Sequence, residues 1–348
     1  ISIGALATHP SPWRPKINTF IIRVVSTSLL ALAAMSANAD NPLILRTAET
    51  HPPSYPTTLA LSYMSDRLKE WSNNSIALKL YAGGQLGEEK DTLEITIFGG
   101  IDINRINMAP LNSIVPETVV LGLPFLFRST AHMRAVLDSD VGEDILASLK
   151  PHGLIGLAFY DSGARSFYNN KRPIHSPADL VGLKIRVQNS ELAVAMVEAL
   201  GANPTPMGFG QVYESLLLGT IDGSENNWPS YESTGHYDAA PHYTLTRHTM
   251  MPEVLVMSKH RWDSLTAEQQ ALIRRAAKAS VPYMREQWDK RVSASRAKAI
   301  NAGVQVINNP DLTPFVAAMQ SVYQQFVTSQ TMRHLVTRIQ SVRVQETP

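Results

Sequence analysis

No cysteine occurs among the 348 residues, which excludes disulfides, thiol nucleophiles and thiolate metal sites while leaving the compartment open. Neither sign of charge is in clear excess, with 31 Lys and Arg against 30 Asp and Glu. No field therefore draws the chain to nucleic acid or to an anionic membrane. The ten histidines contain no HxxxH or HExxH spacing, and there is no GxSxG elbow, no P-loop and no GxGxxG after a strand. Nothing thus calls for a metal, a cofactor or a familiar catalytic apparatus, and the negative evidence points away from an enzyme. What is present is ordinary globular material: 44% hydrophobic and 18% charged residues, enough for one large or two ordinary domains with well-buried cores.

The beginning of the chain reads as a secretory leader. Arg14, Lys16 and Arg23 precede the apolar run VVSTSLLALAA at 24–34, and no acid occurs before Asp40. Ala37 and Ala39 supply the small-x-small pattern of a signal peptidase site, so Asp40 is the expected first mature residue. The apolar run is too short to span about 30 Å of hydrocarbon. Residues 1 to about 15 are read as upstream translation and set aside, and removal of the whole segment before Asp40, with its three basic residues, leaves the remainder slightly acidic.

Beyond Asp40, strand-like and helix-like stretches alternate. Strands are predicted at 43–47, 76–81, 101–108, 154–158, 183–187 and 218–221, and helices at 57–71, 88–98 and 191–200. The strand at 76–81 alternates Ile76, Leu78 and Leu80 against Ala77, Lys79 and Tyr81. Gly99 and Gly100 stop the helix at 88–98. Such alternation predicts an α/β architecture with mostly parallel sheets. A long helical stripe covers 266–302, opened by a Thr266–Gln269 capping box. Pro282 lies inside it and is expected to kink or break it, since a mid-helix proline costs about 3 kcal/mol.

A few polar residues stand out against this scaffold. Arg186 sits in the strand KIRV between apolar neighbours. Its flat fork suits a carboxylate ligand, although residue type alone favours a structural Asp or Glu partner. Arg165 follows the turn Asp161-Ser162-Gly163-Ala164, which either aims it into a cleft or leaves it solvated. Glu88 and Glu89 open a helix, where acids are favoured by the dipole. Phe209, between two glycines, is either a core anchor or a ring against which a sugar face packs. Asn226 and Asn227 are turn formers by default and ligand donors if a cleft receives them.

Seven blocks carry a resemblance: HPPSYPTTLA, LYAGGQLGEE, LGLPFLFRS, FYDSGARSFYN, PADLVGLKIRVQ, LGANPTPMGFGQVYESLLLGTIDGSEN and PEVLVMSK. Together they resemble the DctP-type solute-binding proteins of TRAP (tripartite ATP-independent periplasmic) transporters, over about residues 43–327. The resemblance implies two α/β lobes hinged by crossing strands and one long helix. Lobe I would take 40–162 with 252–290, and lobe II 163–251 with 291–340. It implies that Arg186 clamps the ligand carboxylate, that Arg165 adds a second cation, that Asn226 contacts the ligand and that Phe209 packs beside it. Glu89 and Asn107 match cleft-lining positions, and Glu49 and His51 fall in a segment that reaches the ligand. Two departures occur: an extra Asn227-Trp228 pair at the cleft edge, and the polar strand Asn104-Arg105-Ile106-Asn107. Added amides and Arg105 offer partners for hydroxyls, so a hexuronate such as glucuronate or galacturonate is expected. A shorter aldonate or a C4-dicarboxylate is the alternative. The implied protein is a periplasmic monomer without cofactor that delivers its sugar acid to the small and large TRAP membrane subunits. Two other classes stay open: a sugar-acid lyase with Glu89 or His51 as base, and a ligand sensor.

Overall fold

The computed structural model describes residue 1 and residues 41–344; the expected leader, apart from residue 1, lies outside the described residues. Along the chain the strands are β1 (Leu43–Ala48), β2 (Ile76–Tyr81), β3 (Ile103–Asn107), β4 (Leu154–Tyr160), β5 (Arg165–Asn169), β6 (Lys184–Val187), β7 (Asn203–Pro206), β8 (Gly223–Asn226), β9 (His242–Thr249), β10 (Glu253–Ser258) and β11 (Gln305–Ile307). Among the helices, α1 (Pro56–Trp71), α2 (Glu89–Ile97), α3 (Trp228–Ser233) and α4 (Ala267–Asn301) frame the cleft. One sheet has the order β2-β1-β3-β10-β4 and the other β11-β9-β5-β8-β6-β7. Each sheet is the floor of one lobe.

Within each sheet every strand runs the same way except one. β10 is antiparallel to β3 and β4, and β5 is antiparallel to β8 and β9, while β1–β2, β1–β3, β6–β7, β6–β8 and β9–β11 pair in parallel. The expectation of mostly parallel sheets therefore becomes a mixed pattern with a simple cause. β4 leaves the first sheet at the cleft and continues as β5 of the second, and β9 returns as β10. A strand that enters a sheet from the cleft must oppose strands that end there. The parallel strands consequently present their C-terminal ends to the cleft, where open α/β sheets bind ligands.

The third link between the lobes is α4. Its Ile273, Ala277, Met284 and Trp288 belong to the core of the first lobe, with Leu61, Met64 and Leu68 of α1. Ala299 joins the second lobe's core with Tyr168, Tyr231 and Tyr243. The Glu232 carboxylate at the end of α3 accepts from Arg291, Ser295 and Lys298 and so fastens α4 to the second lobe. The Thr266–Gln269 capping box forms as expected. Pro282 does not break α4, which is continuous over 35 residues. Pro282 and Lys278 are both exposed, so water can satisfy the Lys278 carbonyl that the proline leaves without a donor.

The stretch 218–221 is not a strand. Leu218 lies 71% exposed just beyond a short helix, and the strand is the polar run Gly223–Asn226, buried throughout. Apolar content misplaced it because Ser224, Glu225 and Asn226 are buried by pairing with other polar groups.

Gly163, in the β4–β5 crossing, has φ +60°, and a Cβ there would lie 3.0 Å from the Trp288 ring of α4. Gly163→Ala should therefore lower unfolding stability by about 1–3 kcal/mol in urea melts. An unchanged midpoint would mean that the crossing does not depend on this turn.

Candidate functional site

The cleft ends of the strands meet in one small cavity lined by Thr50, His51, Glu89, Asn107, Ser162, Arg165, Arg186, Gln188, Phe209, Asn226, Ser230 and Glu253. Seven of the eight expected site residues are among these; Glu49 is not. A larger hollow behind the crossing strands is lined by Trp228, Arg247, Trp288 and Arg296 among others. None of the expected residues faces it, and the site chemistry lies in the smaller cavity.

Three buried guanidiniums define the electrostatics. Arg186, on β6 and 3% exposed, donates from Nε and Nη2 to the Met207 carbonyl at 3.1 and 2.8 Å. Among the described residues no carboxylate forms an ion pair with it. Burial, followed by repulsion from Arg165, pushes its pKa below the usual guanidinium value, the mark of a cation short of negative charge.

Arg165, at the start of β5, is different. It donates to both Glu225 carboxylate oxygens at 2.5 and 2.7 Å, to the Glu225 carbonyl at 2.7 Å and to Asn226 Oδ1 at 2.9 Å. Burial opposes ionisation of Glu225, but Arg165 and His248 outweigh it and draw the pKa down to about 2. The structural ion pair that the sequence allowed for Arg186 thus occurs at Arg165, which brings donors to the cavity but little net charge.

Arg105 is fully buried and lies behind the wall, outside the cavity lining. Its Nε and Nη2 are taken by Glu49, and its Nη1 donates to Glu89 Oε1 at 2.7 Å. Burial opposes its charge, yet Glu253, Glu49 and Glu89 raise its pKa well above the usual value. Glu49 also accepts from the His51 backbone N–H and from Thr57 Oγ1. Glu49 and Arg105 therefore position the wall, where the sequence suggested that they reach hydroxyls.

The remaining expected residues are held as follows. Asn107 ends β3, and its N–H donates to Glu89 Oε1 at 3.2 Å. His51 stacks on Tyr55 at 3.8 Å and meets Phe209 edge-on at 5.2 Å. Burial, with Arg105, lowers its pKa to about 4, so the ring is neutral at ordinary pH. Its Nδ1 has no partner among the described residues. The additional Asn227-Trp228 pair is structural. Asn227 caps α3 by accepting from Ser230 N–H at 2.8 Å and donates to the Ser162 carbonyl at 2.8 Å. Trp228 stacks on Tyr243 at 3.9 Å.

Sequence reasoning missed Ser162, Gln188, Ser230 and Glu253. Glu253 carried a signal: an acid opening the apolar strand VLVM, where burial demands a partner. Gln188 follows Arg186 by two and so shares its side of the strand.

Several contacts cross the cleft. Glu88 does not cap its own helix; it accepts from the Phe209 and Gly210 N–H groups at 2.9 and 3.0 Å. Tyr55 Oη lies 2.8 Å from Ser230 Oγ, and Asn112 Nδ2 donates to Ser190 Oγ at 3.0 Å. The lobes are thus held together around the cavity.

Two lobes shut over a buried, uncompensated guanidinium define a hinged binding protein for small anionic solutes. The chain belongs to the bacterial extracellular solute-binding proteins of family 7 (DctP), whose family model matches residues 47–330. It is 41% identical over 294 residues to a solute-binding protein of Chromohalobacter salexigens, covering 84% of this chain and 88% of that protein. Among solved structures it is similar to a TRAP periplasmic solute-binding protein of Bradyrhizobium sp. BTAi1 in complex with α/β-D-galacturonate, with 53% identity, a TM-score of 0.84 and coverage of 85% of this chain and 99% of that one. A TRAP periplasmic solute-binding protein of Roseobacter denitrificans with bound β-D-glucuronate is 40% identical, with a TM-score of 0.84 and coverage of 86% and 100%. Among the described residues no cluster of His, Asp and Glu could hold a metal ion, and no helix is long and apolar enough to cross a membrane.

Two measurements test this electrostatic picture. His51 and His236 have folded pKa values of about 4 and about 3, below the ordinary 6.5, with desolvation the chief cause. The unfolded chain binds more protons between those values, so stability is lost as pH falls from 6.5 towards 4. Glu253, raised by burial, acts in the opposite sense, adding stability at acid pH that is lost as pH rises through its folded value. The melting temperature should decline between about pH 7 and pH 5, and a flat profile there would contradict neutral buried histidines. Removing the inter-lobe acceptor (Glu88→Ala) should shift the molecule towards a more open form, read as a larger radius of gyration by X-ray scattering. An unchanged curve would mean that the other bridges suffice.

Proposed function

We propose that this chain is the periplasmic substrate-binding subunit of a TRAP transporter, capturing a hexuronate, D-galacturonate or D-glucuronate, for delivery to the two membrane subunits. The observation that carries the reading is Arg186: a buried guanidinium with a carbonyl for its only acceptor among the described residues gains most from a carboxylate arriving with the ligand. Similarity to solved proteins with galacturonate and glucuronate bound supports the choice of acid.

In this reading Arg186 takes the carboxylate through its fork. Arg165, locked in place by Glu225, and Asn226, whose Oδ1 accepts from Arg165, are orienting donors, and Phe209 packs against the ring. Asn107, Glu89 and His51, on the first lobe, meet the hydroxyls. The lobes, 40–162 with 252–290 and 163–251 with 291–340, would close over the ligand as a monomer, excluding water and strengthening the ion pair. A carrier is favoured over a lyase because the candidate bases are poorly suited: Glu89 Oε1 is engaged by Arg105 and Asn107, and His51 titrates near 4. A C4-dicarboxylate is disfavoured because its second acid group would face Glu89 and Glu253.

The test is calorimetry and thermal shift with uronates, aldonates and C4-dicarboxylates, with chemical analysis of the recovered ligand. Uronates should bind at micromolar or tighter affinity, about 8 kcal/mol, and be recovered unchanged. Arg186→Ala should weaken binding by about 2–5 kcal/mol. Stabilisation by dicarboxylates alone would refute the uronate assignment, turnover would refute the carrier, and undiminished binding by the Arg186 variant would remove the clamp.

A further inference from the structure

Glu253 is a carboxylate that the expected site did not include. It opens β10 at the cleft, opposite Asn107 in register, is 3% exposed and lines the same cavity as Arg186. Its Oε2 lies 3.2 Å from Arg105 Nη1 yet makes no aligned hydrogen bond among the described residues. Arg105 is already served: Glu49 takes Nε and Nη2, and Glu89 accepts from Nη1. Three carboxylates around one guanidinium leave surplus acid capacity, and Glu253 is where it faces the cavity. Beside it, His51 is 5% exposed, with Nε2 3.7 Å from Glu253 Oε1 and Nδ1 without a partner. Glu253 Oε2, with a poorly aligned Arg105 contact, and His51 Nδ1, without a partner among the described residues, belong to neighbouring residues of one wall and are costly unless something completes them.

The geometry points to Glu253, with His51 beside it, as the element that reads the ligand's hydroxyls from the first-lobe wall and turns away a second carboxylate. This rests on the uronate reading above. A hydroxyl both donates and accepts. Adjacent hydroxyls can donate to Glu253 Oε2 and exchange a hydrogen bond with the neutral imidazole, completing both atoms. A carboxylate only accepts, and in that position it would meet Glu253 and Glu89 with Arg105 already occupied. The wall thus selects polyhydroxy monocarboxylates over dicarboxylates by like-charge repulsion as well as by hydrogen bonding.

Calorimetric titration of wild type, Glu253→Met and Glu253→Gln with D-galacturonate and with succinate tests this. Wild type should bind galacturonate and discriminate against succinate. Glu253→Met, without a hydrogen-bonding group, should bind galacturonate at least about tenfold more weakly. Glu253→Gln, which keeps one, should lose less, and neither variant should bind succinate more weakly than wild type does. Melting curves confirm that each variant is folded, and Glu253→Ala replaces the Met variant if that one does not fold. Galacturonate binding by the Met or Ala variant within about twofold of wild type overturns the inference. Equal losses in the Gln and Met variants also overturn it, because only charge beside Arg105 would then matter. A wild-type chain that binds no uronate defeats the proposed function itself, whereas wild-type uronate binding with an indifferent Met variant removes only the role of Glu253.

Discussion

Taking a guanidinium out of water costs several kcal/mol unless an acid meets it, and three arginines at this cleft meet that demand in different ways. Arg105 is enclosed by Glu49 and Glu89 with Glu253 close by. Arg165 is matched by Glu225 on the neighbouring strand. Arg186 has only a carbonyl among the described residues. The pairing of Arg165 with Glu225 leaves Arg186 as the unmatched cation of the second-lobe wall, while the first-lobe wall around Arg105 keeps surplus acid. Rigid walls with an unmatched cation on one side and surplus acid on the other are what preorganised recognition of a hydroxylated anion requires.

That arrangement depends on the way the chain crosses between lobes. Because β4 continues into β5 and β9 into β10, Arg165 and Glu253 stand at the first positions of reversed strands. They are thereby brought to the same cleft as residues at the last positions of forward strands, such as Asn107 and Asn226. The crossing segments are short, and Trp288 of the long helix packs against Gly163 in one of them. Contacts such as Glu88 with the Phe209–Gly210 backbone then draw the two rims together. The cavity wall and the inter-lobe bridge share a residue, since Phe209 both lines the cavity and carries an N–H of that bridge.

Much of this was legible in the sequence. Alternation at 76–81 and the capping box at Thr266 mark elements whose cause is local, and both form as read. The block KIRVQ marks Arg186 because an arginine amid apolar strand residues is conspicuous. Reading failed where burial is achieved by polar pairing. The strand Gly223–Asn226 looks like a turn, and its neighbour 218–221 looks like a strand, because apolar content is a poor guide once Glu225 can be buried against Arg165. The break allowed for at Pro282 does not occur, because the consequence of a proline depends on whether the freed carbonyl faces water.

The sequence by itself determined the locally specified elements such as 76–81 and the long helix, the blocks that reach the cleft and the presence of more basic and acidic groups there than a core tolerates singly. Which acid answers which base was decided only by the tertiary structure. Arg105 and Glu49 are 56 positions apart, and Arg165 and Glu225 are 60 apart. Sheet register, not local spacing, brings such pairs to hydrogen-bonding distance. Charge pairing is therefore a property of the assembled sheets, and only that assembly reveals Arg186 as the cation that the acids of the described residues leave unmatched.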